Sequence, residues 1–146
     1  MFSFMVIMAV DLGAARTGLA LCDKAEMLAS PLGIIEEKDP AQLLVKVAEQ
    51  AKAHKAEQIV VGLPKNMDGS EGASAQAARE FATFLHALTG IAVDMRDERG
   101  TTVSAHNYLN RTNTRGKKRK AVVDSVAATI ILQDYLDSRR LHGENT

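Results

Sequence analysis

Asp11 is a carboxylate at the end of an apolar segment, a position that requires a chemical explanation. Residues 4–10 are uncharged and mostly apolar, which indicates a buried strand, and a turn-rich segment follows at 12–18. Removing a carboxylate from water is costly unless a cation or hydrogen bonds compensate its charge. A bound metal ion would be one such partner. The alternative is a turn carboxylate that accepts backbone N–H groups of the loop at Gly13.

A second acid, Asp124, occurs in a predicted helix that is apolar over most of its circumference. Helical spacing places it on the same face as Ala128, Ile131 and Tyr135, where a core residue is expected. The alternative is an acid in an early helical turn that interacts with the helix dipole and with Lys120, four residues before it.

The third candidate, Glu98, lies at the end of a strand in which apolar and polar residues alternate. Functional groups of α/β sheets commonly lie at the carboxyl ends of strands. Asp97 competes with Glu98, because alternation puts Asp97 on the face of Val93 and Met95, whereas Glu98 shares the face of Asp94. Alternation does not favour Glu98, but it is a weak guide at a strand end, so both acids stay candidates.

Three carboxylates that converge from separate elements would form a site for Mg²⁺ or Mn²⁺, since both ions prefer hard oxygen ligands. Two such ions, about 4 Å apart, can activate a water and stabilise the leaving oxygen during phosphodiester cleavage. Sequence spacing alone does not show that Asp11, Glu98 and Asp124 converge. A zinc site is not indicated, because the histidines lack zinc-ligand spacing and Cys22 is the only cysteine.

Positive charge is concentrated just before the helix that carries Asp124. The formal net charge of the chain is zero, but residues 111–120 contain six basic residues and no acid. A nucleic-acid backbone bound along this run would be delivered toward the acids. The predicted phosphate-binding residues are Arg16, Arg99, Lys117, Lys118, Arg119 and Lys120. A solvated loop, and surface arginines paired with nearby carboxylates, are the alternatives.

The order of the elements predicts an α/β fold that could position these residues. Strands near residues 4–12, 17–22 and 32–35 indicate an antiparallel meander, and helices then alternate with strands at 59–63 and 91–96. Four helices are predicted. The first begins at residue 40, the second ends at residue 90, the third covers 101–109 and the fourth covers 120–137. This order is typical of a mixed sheet with helices on both faces.

Length and composition indicate one domain at residues 1–140 and a flexible C-terminal tail at 141–146. The chain has 146 residues, of which 46% are hydrophobic and 25% charged, as in ordinary globular proteins. No apolar stretch approaches the roughly 18 residues that span a bilayer. The single cysteine excludes an intrachain disulfide and fits a reducing compartment. We therefore expect a cytoplasmic protein.

Four segments, in the right order over nearly the whole chain, resemble the YqgF family, the Holliday-junction-resolvase-like pre-16S ribosomal RNA nucleases of bacteria. They are Ala9-Val10-Asp11-Leu12-Gly13 through Gly18, Val60-Val61-Gly62-Leu63-Pro64 through Ser70, Asp97-Glu98-Arg99 with Thr101-Thr102, and Lys118 through Ser125. The resemblance implies an RNase H-like fold with a five-stranded mixed sheet. It also implies that Asp11, Glu98 and Asp124 are the metal-binding catalytic acids.

These observations favour a metal-dependent nuclease that acts on structured RNA, in processing of the 5′ end of pre-16S rRNA, with two Mg²⁺ or Mn²⁺ ions. A resolvase of branched DNA would use the same chemistry, and a homodimer would suit it. A non-catalytic RNA-binding protein is a further alternative. An actin-like ATP-binding domain is less favoured: Asp11-Leu12-Gly13 with Thr17-Gly18 resembles a phosphate motif, but such proteins need two domains around the nucleotide.

Overall fold

The apolar segments form one five-stranded sheet in the computed structural model, which describes residues 5–23, 28–98 and 116–143. For residues 116–125 and 141–143 the description covers the backbone alone. The strands are β1 (Ile7–Asp11), β2 (Arg16–Cys22), β3 (Ala29–Glu36), β4 (Gln58–Leu63) and β5 (Ala92–Asp97), and the helices are α1 (Pro40–Ala53), α2 (Ala73–Thr89) and α3 (Gly116–Gly143).

The strand order across the sheet is β3-β2-β1-β4-β5. β1 pairs with β2, and β2 with β3, in antiparallel fashion, whereas β1 with β4 and β4 with β5 are parallel. Parallel neighbours need a crossover connection, and α2 supplies the one from β4 to β5. The predicted meander followed by alternating helices and parallel strands is confirmed.

Two of the three inner strands, β1 and β4, are buried on both faces, which explains their nearly continuous apolar sequence. Met8 and Val10 belong to the core beneath α1 and α2, whereas Ile7 and Ala9 belong to the core beneath α3. Because side chains alternate along a strand, Asp11 lies on the same side as Ile7 and Ala9. We call this side of the sheet the α3 face.

α3 is longer than the sequence indicated: it runs from Gly116 to Gly143, whereas the prediction was 120–137. Between these two glycines the chain contains neither glycine nor proline, so no helix breaker stops it where the apolar stripe ends. The helix includes residues 141–143, which we had assigned to the tail. Residues 144–146 and the helix predicted at 101–109 lie outside the described residues. Among the helices described, none is both long and apolar enough to cross a membrane.

The buried hydroxyl of Thr17 in β2 allows a test of how the core contributes to stability. Thr17 is 0% exposed, and its Oγ1 has no hydrogen-bond partner in the described part of the chain. An unsatisfied buried hydroxyl lowers stability, so we expect Thr17→Val to raise the free energy of unfolding by about 1 kcal/mol in urea denaturation.

Thr89 is the matched control for this substitution. Its hydroxyl donates to the carbonyl oxygen of Leu85 at 2.8 Å and accepts the N–H of Ile91 at 3.1 Å. Thr89→Val removes both bonds and is expected to lower the free energy of unfolding by about 1 kcal/mol. A loss of stability in Thr17→Val would show that its hydroxyl is needed in the native state.

Candidate active site

Asp11 ends β1 at the centre of the sheet, where it is half-buried and pairs with Gly18 of β2. The chain then reverses through a turn that only glycine fits at residue 13. A Cβ on Gly13 would lie 2.1 Å from the carbonyl oxygen of Arg16, which is backbone and cannot swing away. The turn therefore fixes the direction in which β1 ends and leads into β2, which begins at Arg16, two residues before the partner of Asp11.

Glu98 reaches the same face of the sheet from β5. The parallel register pairs Gly62 with Arg96 and Leu63 with Asp97, and the N–H of Glu98 continues the ladder by donating to the carbonyl oxygen of Leu63 at 3.1 Å. Since Glu98 is two residues beyond Arg96, both lie on one face.

Contacts with α3 identify the face that Glu98 shares. The hydroxyl of Tyr135 donates to Asp94 at 3.0 Å, and the guanidinium of Arg96 donates to Asp134 at 3.1 and 2.9 Å. This is the α3 face, on which Asp11 also lies. In the sequence, alternation did not favour Glu98 because it puts Glu98 on the face opposite to Val93 and Met95. In the structure, Val93 and Met95 pack against the core beneath α1 and α2, so this alternation puts Glu98 on the side of Asp11.

The carboxyl groups of Asp11 and Glu98 are hydrogen-bonded to each other. Burial raises the pKa of Glu98 to about 9, and the hydrogen bond with Asp11 and the negative charges of Asp11 and Asp97 act in the same direction. Two adjacent carboxylates cannot both ionise at low cost, so Glu98 retains its proton at neutral pH and donates it to Asp11. A cation that binds both groups would replace this proton.

Gly62 lies beside this pair, and we had not singled it out in the sequence. A Cβ at this position would lie 2.5 Å from Oε2 of Glu98. The available signal was the glycine itself, which interrupts the apolar run of β4. Glycine inside a strand often marks a close approach by another group.

The third predicted acid lies on the helix that covers this face. Ala128, Ile131 and Tyr135 are buried in the core between α3 and the sheet. Position 124 precedes Ala128 by one turn, on the same helical face. The side chain of Asp124 is outside the described part of the chain. The structure therefore brings Asp11 and Glu98 together and places the helix of Asp124 over the same face.

The predicted phosphate-binding residues are described only in part. Arg16 is half-buried at the start of β2, on the far side of the Gly13 turn from Asp11. Residues 117–120 form the beginning of α3, and their side chains lie outside the description, as does the whole of Arg99. Among the predicted phosphate-binding residues, Arg16 is thus the one whose side chain belongs to the described part of the chain.

The donor atoms of the acid pair fit a hard divalent cation. Carboxylate oxygens are the ligands that Mg²⁺ and Mn²⁺ prefer, and a divalent cation between two half-buried carboxylates in contact would offset their mutual repulsion. Within the described side chains, no three or more histidine, cysteine, aspartate or glutamate residues form a metal-binding group. The predicted third ligand, Asp124, falls outside that set.

A family model described as "RuvX: Holliday junction resolvase" matches residues 5–138. Proteins named "Putative pre-16S rRNA nuclease" are similar to the chain: one from Halothermothrix orenii is 42% identical over 140 residues, which are 95% of this chain and 100% of that protein. One from Moorella thermoacetica is 42% identical over 133 residues, 91% of this chain and 95% of that protein.

Two solved structures share the fold at low sequence identity. RuvC of Thermus thermophilus in complex with a Holliday junction substrate has a TM-score of 0.60 at 15% identity, over 93% of this chain and 96% of that chain. The Fowlpox virus resolvase in complex with Holliday junction DNA has a TM-score of 0.57 at 12% identity, over 92% and 98%. The RNase H-like fold expected from the sequence is confirmed.

The raised pKa of Glu98 predicts how the stability of the metal-free protein depends on pH. The folded pKa, about 9, exceeds the ordinary value of 4.5, so the folded state holds a proton that the unfolded state releases. The stability contributed by this group is complete below pH 4.5 and is lost as the pH rises toward 9. We expect Glu98→Gln to remove this loss. When both proteins are measured in EDTA, the Tm of the variant should therefore rise relative to that of the unsubstituted protein between pH 5 and pH 9.

Glu49→Gln is the control for this measurement, because Glu49 is exposed on α1. Its Tm difference from the unsubstituted protein should stay constant over the same pH range. Parallel Tm curves for Glu98→Gln and the unsubstituted protein would contradict the assignment of the shared proton to Glu98.

Proposed function

The chain belongs to the RuvX family of Holliday junction resolvases, and we propose that this nuclease hydrolyses phosphodiester bonds in the 5′ extension of pre-16S rRNA with the help of divalent metal ions. The observation that carries the proposal is the pair formed by Asp11 and Glu98 on the α3 face. The RNA substrate is supported by the names of the similar proteins, which cover nearly the whole chain.

We assign the metal ions, Mg²⁺ or Mn²⁺, to Asp11, Glu98 and Asp124. When bound there, a pair of ions would supply activation of a water and stabilisation of the leaving oxygen. The contribution of the chain is to hold the carboxylates rigidly: Asp11 by the Gly13 turn and Glu98 by its ladder bond to Leu63. Glu98 must also lose the proton that it shares with Asp11 before its carboxylate can act as a ligand.

We assign the RNA backbone to Arg16 and to residues 117–120, with Arg99 as a further phosphate contact. The position of Arg16 supports this assignment, because it begins β2 two residues before Gly18, the partner of Asp11. A guanidinium binds phosphate through two parallel N–H groups, which fixes the position of the bond to be cleaved. Lysines in the first turn of α3 would bind phosphates mainly through charge, without regard to sequence.

Substitution of the acids tests the metal-dependent mechanism. We expect Asp11→Asn and Asp124→Asn each to slow cleavage of a 5′-extended pre-16S RNA by ~10²-fold or more in Mg²⁺ or Mn²⁺, because several kcal/mol of transition-state stabilisation are lost. The measurement is the single-turnover rate constant on end-labelled RNA.

Asp39→Asn is the matched control, because Asp39 is exposed before α1 and its side chain forms no capping bond among the described residues. This variant should cleave at the unsubstituted rate. If the Asp11 and Asp124 variants cleave as fast as this control, the proposed acids are wrong. RNA binding without turnover in either ion would instead indicate a non-catalytic RNA-binding protein.

Branched DNA is the second candidate substrate, because the family description names Holliday junctions and RuvC and the Fowlpox resolvase were solved with junction DNA. The two candidates are separated by parallel assays, at equal protein and metal concentrations, on 5′-extended pre-16S RNA and on a four-way DNA junction. We expect faster cleavage of the RNA. Paired symmetric cuts in the junction, together with a dimer in solution, would favour the resolvase.

The salt dependence of binding tests the basic residues at the start of α3. Replacing the four residues 117–120 with alanine should weaken RNA binding and reduce the slope of log Kd against log salt by about 3, because each lost phosphate contact removes a released counterion. Fluorescence anisotropy at several KCl concentrations, in EDTA, measures both effects.

Lys52→Ala is the control for this slope, because Lys52 is exposed in the last turn of α1, at the opposite end of the sheet from Asp11. It should leave the slope unchanged. An equal slope for the four-residue variant and the unsubstituted protein would mean that residues 117–120 do not contact phosphates.

A further inference from the structure

We propose that Gly62 is a positioning residue of the active site, because the space left by its missing side chain is what allows the carboxyl group of Glu98 to reach Asp11. The inference rests on the proposed role of Asp11 and Glu98 as metal-binding acids. It adds a residue that carries no functional group and that acts through the volume it leaves open.

The location of Gly62 supports this role. β4 lies between β1 and β5 in the sheet, and its register with β1 pairs Val61 with Val10. The next position along these two strands puts Gly62 beside Asp11, while its register with β5 puts it opposite Arg96, two residues before Glu98. Gly62 therefore lies between the strand ends that carry the two acids, on the α3 face.

A side chain at residue 62 would have to displace its neighbours. An added Cβ would lie 2.5 Å from Oε2 and 2.8 Å from Cδ of Glu98, and 2.8 Å from Cδ1 of Ile131 in α3. Carbon atoms in contact are normally separated by about 3.5–4.0 Å, so even alanine would force these groups to move. The carboxyl group of Glu98 occupies the volume that a side chain at residue 62 would fill.

The backbone conformation of β4 does not itself require glycine at this position. Gly62 lies inside a regular strand, and it is absent from the positive-φ residues, which among the described glycines are Gly33, Gly69 and Gly90. Glycine within a strand is destabilising relative to residues with a side chain. Its presence here is therefore explained by the close approach of Glu98 and Ile131.

Substitution of the two close neighbours can distinguish a structural role of Gly62 from a functional one. Ile131 belongs to the core between α3 and the sheet, whereas Glu98 belongs to the acid pair. A methyl group at residue 62 can push away either neighbour. Ile131→Val removes the Cδ1 atom that is in the way, and Glu98→Asp withdraws the carboxyl group by one methylene. The two second substitutions therefore relieve different clashes.

The first test is Gly62→Ala in the full chain. We expect the rate of RNA cleavage to fall by ~10²-fold, the loss typical of a catalytic group displaced by about 1 Å. The rise in Tm on addition of MnCl₂, and the Mn²⁺ affinity from titration calorimetry, should both decrease. RNA affinity in EDTA should stay unchanged, because binding of the RNA backbone does not depend on Glu98.

Gly72→Ala is the matched control, because the nearest atom of another segment to an added Cβ on Gly72 is Nδ2 of Asn66, at 4.0 Å. It should retain both cleavage and the Mn²⁺-induced rise in Tm. Equal cleavage and equal Mn²⁺ responses for Gly62→Ala and Gly72→Ala would overturn the inference.

The double variants decide which neighbour matters. In EDTA, we expect the double variant Gly62→Ala, Ile131→Val to have a higher Tm than Gly62→Ala alone. Its Mn²⁺ response and its cleavage rate should stay as low as those of Gly62→Ala. In the Gly62→Ala background, Glu98→Asp should cause a smaller further loss of Mn²⁺ affinity than it does alone, because the shorter side chain fits the reduced space. Full recovery of cleavage by Ile131→Val would show that Gly62 serves only the packing of α3 and would overturn the inference.

Asp11→Asn distinguishes a failure of this inference from a failure of the proposed function. If Asp11→Asn loses cleavage and the Mn²⁺ response while Gly62→Ala keeps both, only the inference about Gly62 is overturned. If Asp11→Asn also keeps both, the proposed site is wrong, and the inference falls with it.

Discussion

The site depends on one electrostatic constraint: the half-buried carboxyl groups of Asp11 and Glu98 are in contact and cannot both be ionised without a positive charge between them. Without a cation, Glu98 keeps a proton that its ordinary pKa would release. The Gly13 turn holds Asp11 in this unfavourable pair, and the backbone hydrogen bond to Leu63 holds Glu98. The cores on the two faces of the sheet provide the stability that offsets it, since the inner strands are buried on both sides.

The arrangement of the strands could be predicted from the sequence, because the strands differ in how they are buried. The predominantly apolar sequences of β1 and β4 indicate strands covered on both faces, while the alternation in β5 indicates a strand at the edge. Helix ends were harder to predict. The last helix extends to Gly143, because the chain between Gly116 and Gly143 contains no glycine or proline that would end it earlier.

The acid pair was predictable from the family resemblance, but not from periodicity. Alternation along β5 separates Asp97 from Glu98 correctly, yet it does not tell which face of the strand carries the site. That choice follows from the parallel register of β4 and β5 and from the contacts of Asp94 and Arg96 with α3, all of which are long-range interactions. Gly62 could be noticed as an anomaly in an apolar strand, but the group that approaches it could not be named without the fold.

The strand order determines when the contact between Asp11 and Glu98 can form. Asp11 is on the first strand of the sheet and Glu98 follows the last, and the two meet only through β4, which lies between them. Contacts between residues so distant in sequence form late, because the intervening chain must first be ordered. During synthesis, the pair cannot assemble until β5 has left the ribosome and joined the sheet. A nascent chain in which β5 has not yet joined the sheet therefore lacks the contact between Asp11 and Glu98.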